Sequence, residues 1–172
     1  MVTVPVLGLG VASIVVLVCC SAFFSSSESA IFTLPDEWIA TQDSTADRRA
    51  ATLQELQSDP HRLLVTILVG NNVVNMAIAS ITTALLVEVF PAGSAVTLST
   101  VLASFVVLVF GEIVPKSYGL GHARQWSLRV ARPIALVERV CYPLVVTFDF
   151  LTRRLNRLVG GDAGIEEQYL DE

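Results

Sequence analysis

The sequence predicts an all-α membrane protein: three transmembrane helices with a cytoplasmic helical hairpin and juxtamembrane helices. Composition is the first reason. Of the 172 residues 53% are hydrophobic and only 16% are charged, where soluble domains carry about 25% charged residues. Mean hydropathy is +0.64. Second, three apolar runs reach the roughly 20 residues that a helix needs to cross hydrocarbon. Third, basic residues avoid those runs. No Lys or Arg precedes Arg48, and none lies between Leu63 and Val114. Arg48, Arg49 and Arg62 separate the first two runs, and the remaining eight basic residues lie from Lys116 onward. The positive-inside rule makes those two regions cytoplasmic and puts the amino terminus and the Pro91–Ala95 turn outside. The expected location is a cell membrane, crossed several times, with the carboxyl terminus in the cytoplasm. The net charge is −5, most charged residues lie outside the apolar runs, and no basic patch suited to phosphates is present, so nucleic acid is not an expected partner.

The first span covers residues 5–32. A cleaved signal peptide would need a basic leading region, which is missing, so this segment is expected to stay in the bilayer. It is apolar to Phe24 and then reads Ser25-Ser26-Ser27-Glu28-Ser29. Ser21, Ser25 and Ser29 recur every four residues and share a helix face. Serines also pack membrane helices closely, but four serines and a carboxylate within five residues exceed what packing requires. Cys19, Cys20 and Cys141 stand among apolar residues at no metal-site spacing and read as small hydrophobes in a reduced setting.

Residues 34–62 turn polar and are expected to form a cytoplasmic helical hairpin. Pro35 can open a helix whose first turn carries Asp36 and Glu37, where the helix dipole favours acids. Ala46 to Leu56 has helix-forming composition. Asp59-Pro60 reads as a cap followed by a first helical residue. The second span, 63–89, has Gly70-Asn71-Asn72-Val73-Val74-Asn75 at its centre. Asn71 and Asn75 share a face, and asparagine oxygen is a hard-cation ligand. A single amide would be read as an interhelical hydrogen bond; three within five residues need several partners at once.

The third span, 95–115, ends in Phe110-Gly111-Glu112-Ile113-Val114-Pro115-Lys116. An ionisable residue at such depth is costly and marks a functional site by default. Pro115 has no N–H, so the carbonyl of Gly111 loses its helical partner beside the Glu112 carboxylate. Irregular backbone is expected near Pro115 and Gly70, where it would line a cavity. Beyond Lys116, residues 120–159 contain an apolar stretch interrupted by Glu138, Arg139, Pro143 and Asp149. Crossing there would put Arg153, Arg154 and Arg157 outside, so juxtamembrane helices at the inner interface are expected; a re-entrant course is the alternative. Residues 161–172 read as an acidic linker.

The three polar motifs, Phe24-Ser25-Ser26-Ser27-Glu28-Ser29-Ala30, Gly70-Asn71-Asn72-Val73-Val74-Asn75 and Phe110-Gly111-Glu112-Ile113-Val114-Pro115-Lys116, resemble in content and order the transmembrane domain of the CNNM/CorC magnesium transporters. Ser26 departs from the pattern, since many members have glycine there. The resemblance implies a homodimer in the lipid bilayer and Mg²⁺ as the transported ion, through either Mg²⁺ export or Na⁺-linked Mg²⁺ movement. It also implies a cytosolic CBS-pair domain, absent from this chain, after the linker. The metal site it implies is Ser25, Ser29, Asn71, Asn75, Gly111 and Glu112. Other readings are a membrane-anchored Mg²⁺ sensor that regulates another transporter, and a purely structural packing role. An enzyme is not expected, because no His or Lys lies in the spans to activate a serine.

Overall fold

The computed structural model describes residues 4–42 and 47–159. Among them every regular element is helical. Helix α1 spans Val4–Phe32, α4 Pro60–Leu86, and a third long rod Ala92–Gly121. These three are long and apolar enough to cross a membrane. The third rod is not uniform. It begins as α5 (Ala92–Val106), widens into a π-helical segment at Val107–Ile113, and resumes as α6 (Val114–Gly121). Between the first two rods lie α2 (Asp36–Ala40) and α3 (Arg48–Gln57). After the third come α7 (Ala123–Val140) and α8 (Tyr142–Val159), broken apart at Cys141. The acidic stretch 161–172 lies outside the described residues.

Local chemistry explains the boundaries. Asp59 caps α4 by accepting from the Arg62 N–H, with Pro60 as first helical residue. The α3 helix starts at Arg48, slightly later than composition alone suggests, because Asp47 takes the cap position and accepts from the Arg49 N–H. Pro35 stands just outside α2 as its cap residue. The α2–α3 pair is tied by the Gln54 amide, which donates to the carbonyls of Ile39 and Gln42.

The hydrophobic core lies at one end of the bundle, not at mid-length. Phe24, Ile31, Leu34, Ile39, Leu53, Leu56, Leu63, Ile67, Val130, Ala131 and Ile134 pack together, so α7 and the α2–α3 pair clasp the basic end of α1 and α4. Arg62 anchors this end, its Nε 2.6 Å from Glu138 and its guanidinium over the Tyr142 ring. Elsewhere the spans leave large apolar side chains exposed, among them Leu9, Met76, Val101, Phe105 and Ile113. In water such surface would be unfavourable; it suits lipid tails.

Two close helix approaches set how the spans meet. Gly70 lies under the Phe24 ring, where a Cβ would come within 2.6 Å of it. Gly119 lies against the Ser26 carbonyl, 2.3 Å from where its Cβ would stand. The backbone at Gly70 is not irregular, contrary to expectation: α4 runs unbroken through it. Glycine serves there to admit an aromatic ring, and a glycine without a following proline has no reason to break a helix that packing supports. Helix α1 likewise continues through Ser26, whose hydroxyl accepts from Trp126 Nε1 at 3.0 Å.

Candidate metal centre

Most serines here return their hydroxyl proton to a carbonyl on the preceding turn, as helical serines commonly do. Ser13 bonds to Leu9, and Ser26 and Ser27 both bond to Phe23. Ser21 and Ser25 do not. Both are fully buried, and both occupy the face of α1 turned toward the other spans. The Ser21 hydroxyl lies 2.7 Å from Asn75 Oδ1, 3.1 Å from Asn71 Oδ1 and 3.5 Å from the Gly111 carbonyl. Those are three acceptor oxygens facing one hydroxyl proton. Ser25 Oγ, one turn along, is buried without any hydrogen-bond partner. Such an atom costs about 1–3 kcal/mol when left unsatisfied. The centre thus gathers several oxygen lone pairs at one point, which is what a hard cation binds.

Glu112 orients the neighbouring amide. Its Oε1 accepts from Asn75 Nδ2 at 3.2 Å. With Asn75 Nδ2 donating to Glu112, the amide turns its oxygen toward Ser21. The π-helical segment supplies the remaining oxygen. Pro115 removes the N–H that would close onto Gly111, and the chain upstream adopts the wider register, with the Val114 N–H reaching back to Val109. The Gly111 carbonyl lacks its α-helical donor and lies 3.5 Å from the Ser21 hydroxyl of α1. A side chain at 111 would put its Cβ 2.6 Å from Ser21 Oγ, so glycine is required for the approach.

The structure therefore brings Ser25, Asn71, Asn75, Gly111 and Glu112 to the junction of the three spans, with Ser21 among them. It does not bring Ser29. That residue lies two turns beyond Ser21, about 12 Å along the axis, and its carbonyl accepts from Thr33. Ser21 was not among the expected ligands, although its four-residue spacing from Ser25 was the available signal. Asn72 turns away and donates to the Leu68 carbonyl. Among the described residues no three His, Cys, Asp or Glu side chains gather, so the centre consists of neutral oxygens and one carboxylate. That donor set suits a hard cation such as Mg²⁺ or Ca²⁺. Replacing Gly111 with Ala should weaken divalent-ion binding by about 10–100-fold, the range seen when a ligand's support is disturbed. Calorimetric titration would measure it, with unchanged circular dichroism showing that the helices persist.

A cavity of about 220 Å³ begins at Asn75 and runs between α4 and α5 away from the basic end, lined by Ala79, Thr83, Ser99, Thr100 and Ser104. Thr83 donates to Ser99 across it at 2.8 Å.

Comparison with known proteins places this arrangement in a family. The model of the cyclin M (CNNM) transmembrane N-terminal domain matches residues 12–172. A UPF0053 protein of Haemophilus influenzae is 29% identical over 159 residues, covering 91% of this chain and 38% of its own length. A chloroplastic DUF21 domain-containing protein of Arabidopsis thaliana is 32% identical over 152 residues, covering 88% and 22%. The UPF0053 inner membrane protein YfjD of Escherichia coli is 29% identical over 140 residues, covering 81% and 32%. The chain thus spans well under half the length of each of these relatives. It belongs to the CNNM transmembrane-domain family, in keeping with its three helices long and apolar enough to cross a membrane.

Proposed function

We propose that the chain moves Mg²⁺ across the membrane as an exporter coupled to Na⁺, through a dehydrated site formed by Ser21, Ser25, Asn71, Asn75, Gly111 and Glu112. The observation that carries this reading is the gathering of oxygens around Ser21. Magnesium binds oxygens at about 2.0–2.1 Å in an octahedron, so neighbouring ligands stand roughly 2.8–3.0 Å apart. The separations of 2.7, 3.1 and 3.5 Å from Ser21 Oγ bracket that edge. Small side-chain movements then exchange a hydrogen-bonded cluster for a coordination shell. A single carboxylate offsets half of the ion's charge, which favours binding without locking the ion in place.

In this reading the basic end, carrying Arg62 and Lys116, faces the cytoplasm. The cavity that starts at Asn75 supports a route to the opposite side, opened by rocking of the spans about the site. The Escherichia coli relative is named an inner membrane protein, which supports a cell-membrane location. A homodimer, and a cytosolic CBS-pair domain attached beyond residue 160, belong to the same proposal.

The test is flux. The purified chain in sealed liposomes is expected to pass Mg²⁺ to an enclosed indicator dye without any partner protein. Tight Mg²⁺ binding without flux would replace transport with the sensor reading, and absence of both would overturn the site.

A further inference from the structure

Below the oxygen cluster, toward the basic end, α6 and α1 are joined by an ion pair. Lys116 Nζ lies 3.3 Å from Oε2 and 3.5 Å from Oε1 of Glu28. The two side chains are 41% and 24% exposed. Along α1, Ser21, Ser25 and Glu28 follow at steps of four and three residues, so they share a face and descend by about 6 and 4.5 Å. On the facing wall Glu112 and Lys116 are also four residues apart. Between the upper oxygens and the lower carboxylate lies Ser25 Oγ, buried and without a partner. A helical serine has an easy alternative in the carbonyl one turn back. Ser25 forgoes it and leaves a lone-pair donor midway between two oxygen-bearing levels.

We propose that Glu28, assisted by Ser25, is a second cation station on the basic side of the cluster, and that the Lys116 ammonium is its resident occupant, displaced as a divalent ion passes. The inference rests on the reading of the oxygen cluster as a divalent-ion site. Partial exposure keeps the pair weak, since bridges of this kind contribute about 0–1 kcal/mol. Weakness is what an exchangeable occupant needs. Lysine also suits this role, because its charge is compact and its stem flexible, so the head swings aside without backbone movement. A hydrated Mg²⁺ surrenders water reluctantly. A single carboxylate near the entrance holds it through its water shell, and the Ser25 hydroxyl offers the first replacement oxygen on the way to Ser21. While no ion is present the ammonium leaves no uncompensated carboxylate beside the spans.

The experiment reads Mn²⁺ binding to the detergent-solubilised full chain from loss of the free-ion electron paramagnetic resonance signal. Glu112→Gln is used as the background, to silence the upper site. Adding Lys116→Met should raise Mn²⁺ affinity about tenfold, because a divalent ion feels twice the repulsion that a monovalent one does from the departed ammonium. Adding Glu28→Gln to that double variant should remove the gain. No gain, or a gain that survives Glu28→Gln, overturns the proposal. Lys116→Arg provides an independent reading: its forked guanidinium holds a carboxylate more firmly, so affinity should not rise, and a rise would count against a displaceable occupant. Glu112→Gln compared with the unaltered chain reports the upper site separately. If that comparison shows no change, the oxygen-cluster reading fails while the Lys116 and Glu28 comparison still decides the lower station.

Discussion

Glu112→Gln should abolish Mg²⁺ binding while leaving the fold intact. The substitution preserves the size and shape of the side chain and an oxygen able to accept from Asn75 Nδ2, which the carboxylate now does at 3.2 Å. What it removes is the full negative charge of the cluster; Ser21, Asn71, Asn75 and Gly111 contribute neutral oxygens. Glu112 is half-buried beside them, so its charge is less screened than one at a water-exposed surface. Removing one partner from a desolvated charge pair costs about 3–5 kcal/mol, which corresponds to a loss in affinity of roughly 100-fold or more. Two measurements separate this from a folding defect. Saturating Mg²⁺ should raise the melting temperature of the unaltered chain, because a ligand that binds only the folded state stabilises it. The variant should melt like the unaltered chain without Mg²⁺ and show no rise on adding it. A calorimetric isotherm unchanged by the substitution would remove Glu112 from the site.

Gly119→Ala should be the most damaging of the small substitutions to stability. An added Cβ would stand 2.3 Å from the Ser26 carbonyl oxygen and 3.1 Å from both its carbonyl carbon and its Cα. All three are backbone atoms, so no rotamer change relieves the clash. Helices α1 and α6 would have to separate, and overpacking of this kind costs about 1–3 kcal/mol, occasionally more. For a chain of this size a loss of about 2 kcal/mol corresponds to a fall of about 4–8 °C in melting temperature. Separation would also pull on the Ser26–Trp126 bond and on the Glu28–Lys116 pair, which join α1 to α7 and to α6. Gly121→Ala is the matched control, because nothing lies within 4 Å of its added Cβ. Equal melting temperatures for the two variants would show that the α1–α6 approach does not determine stability.

The weight of the packing at the basic end has a functional sense. The buried core gathers where α2, α3 and α7 clasp α1 and α4, whereas the spans above it are largely exposed. Rigid support at one end leaves the other end of the spans with few contacts to oppose movement. That division suits the transport proposed above, in which the two sides of the site would open in turn.

From its residues alone the chain determined three membrane-length helices, the restart at Asp59-Pro60, and the motifs that carry oxygen at depth. These features are local: apolar run length, capping chemistry and the missing N–H of proline each act within a few residues of their cause. Spacing also placed Ser21, Ser25 and Ser29 on one face and Asn71 with Asn75 on another. It did not set the height at which those faces meet. A helix face repeats every turn, so periodicity is the same whether the spans cross at Ser21 or at Ser29. The crossing height was decided by tertiary contacts, with the Phe24 ring seated on Gly70 and the Ser26 carbonyl on Gly119. Those contacts put Ser21 among the oxygens, leave Ser29 beyond them and bring Lys116 to Glu28. Only packing between helices fixes their vertical register, because each helix satisfies its own backbone equally well at any height.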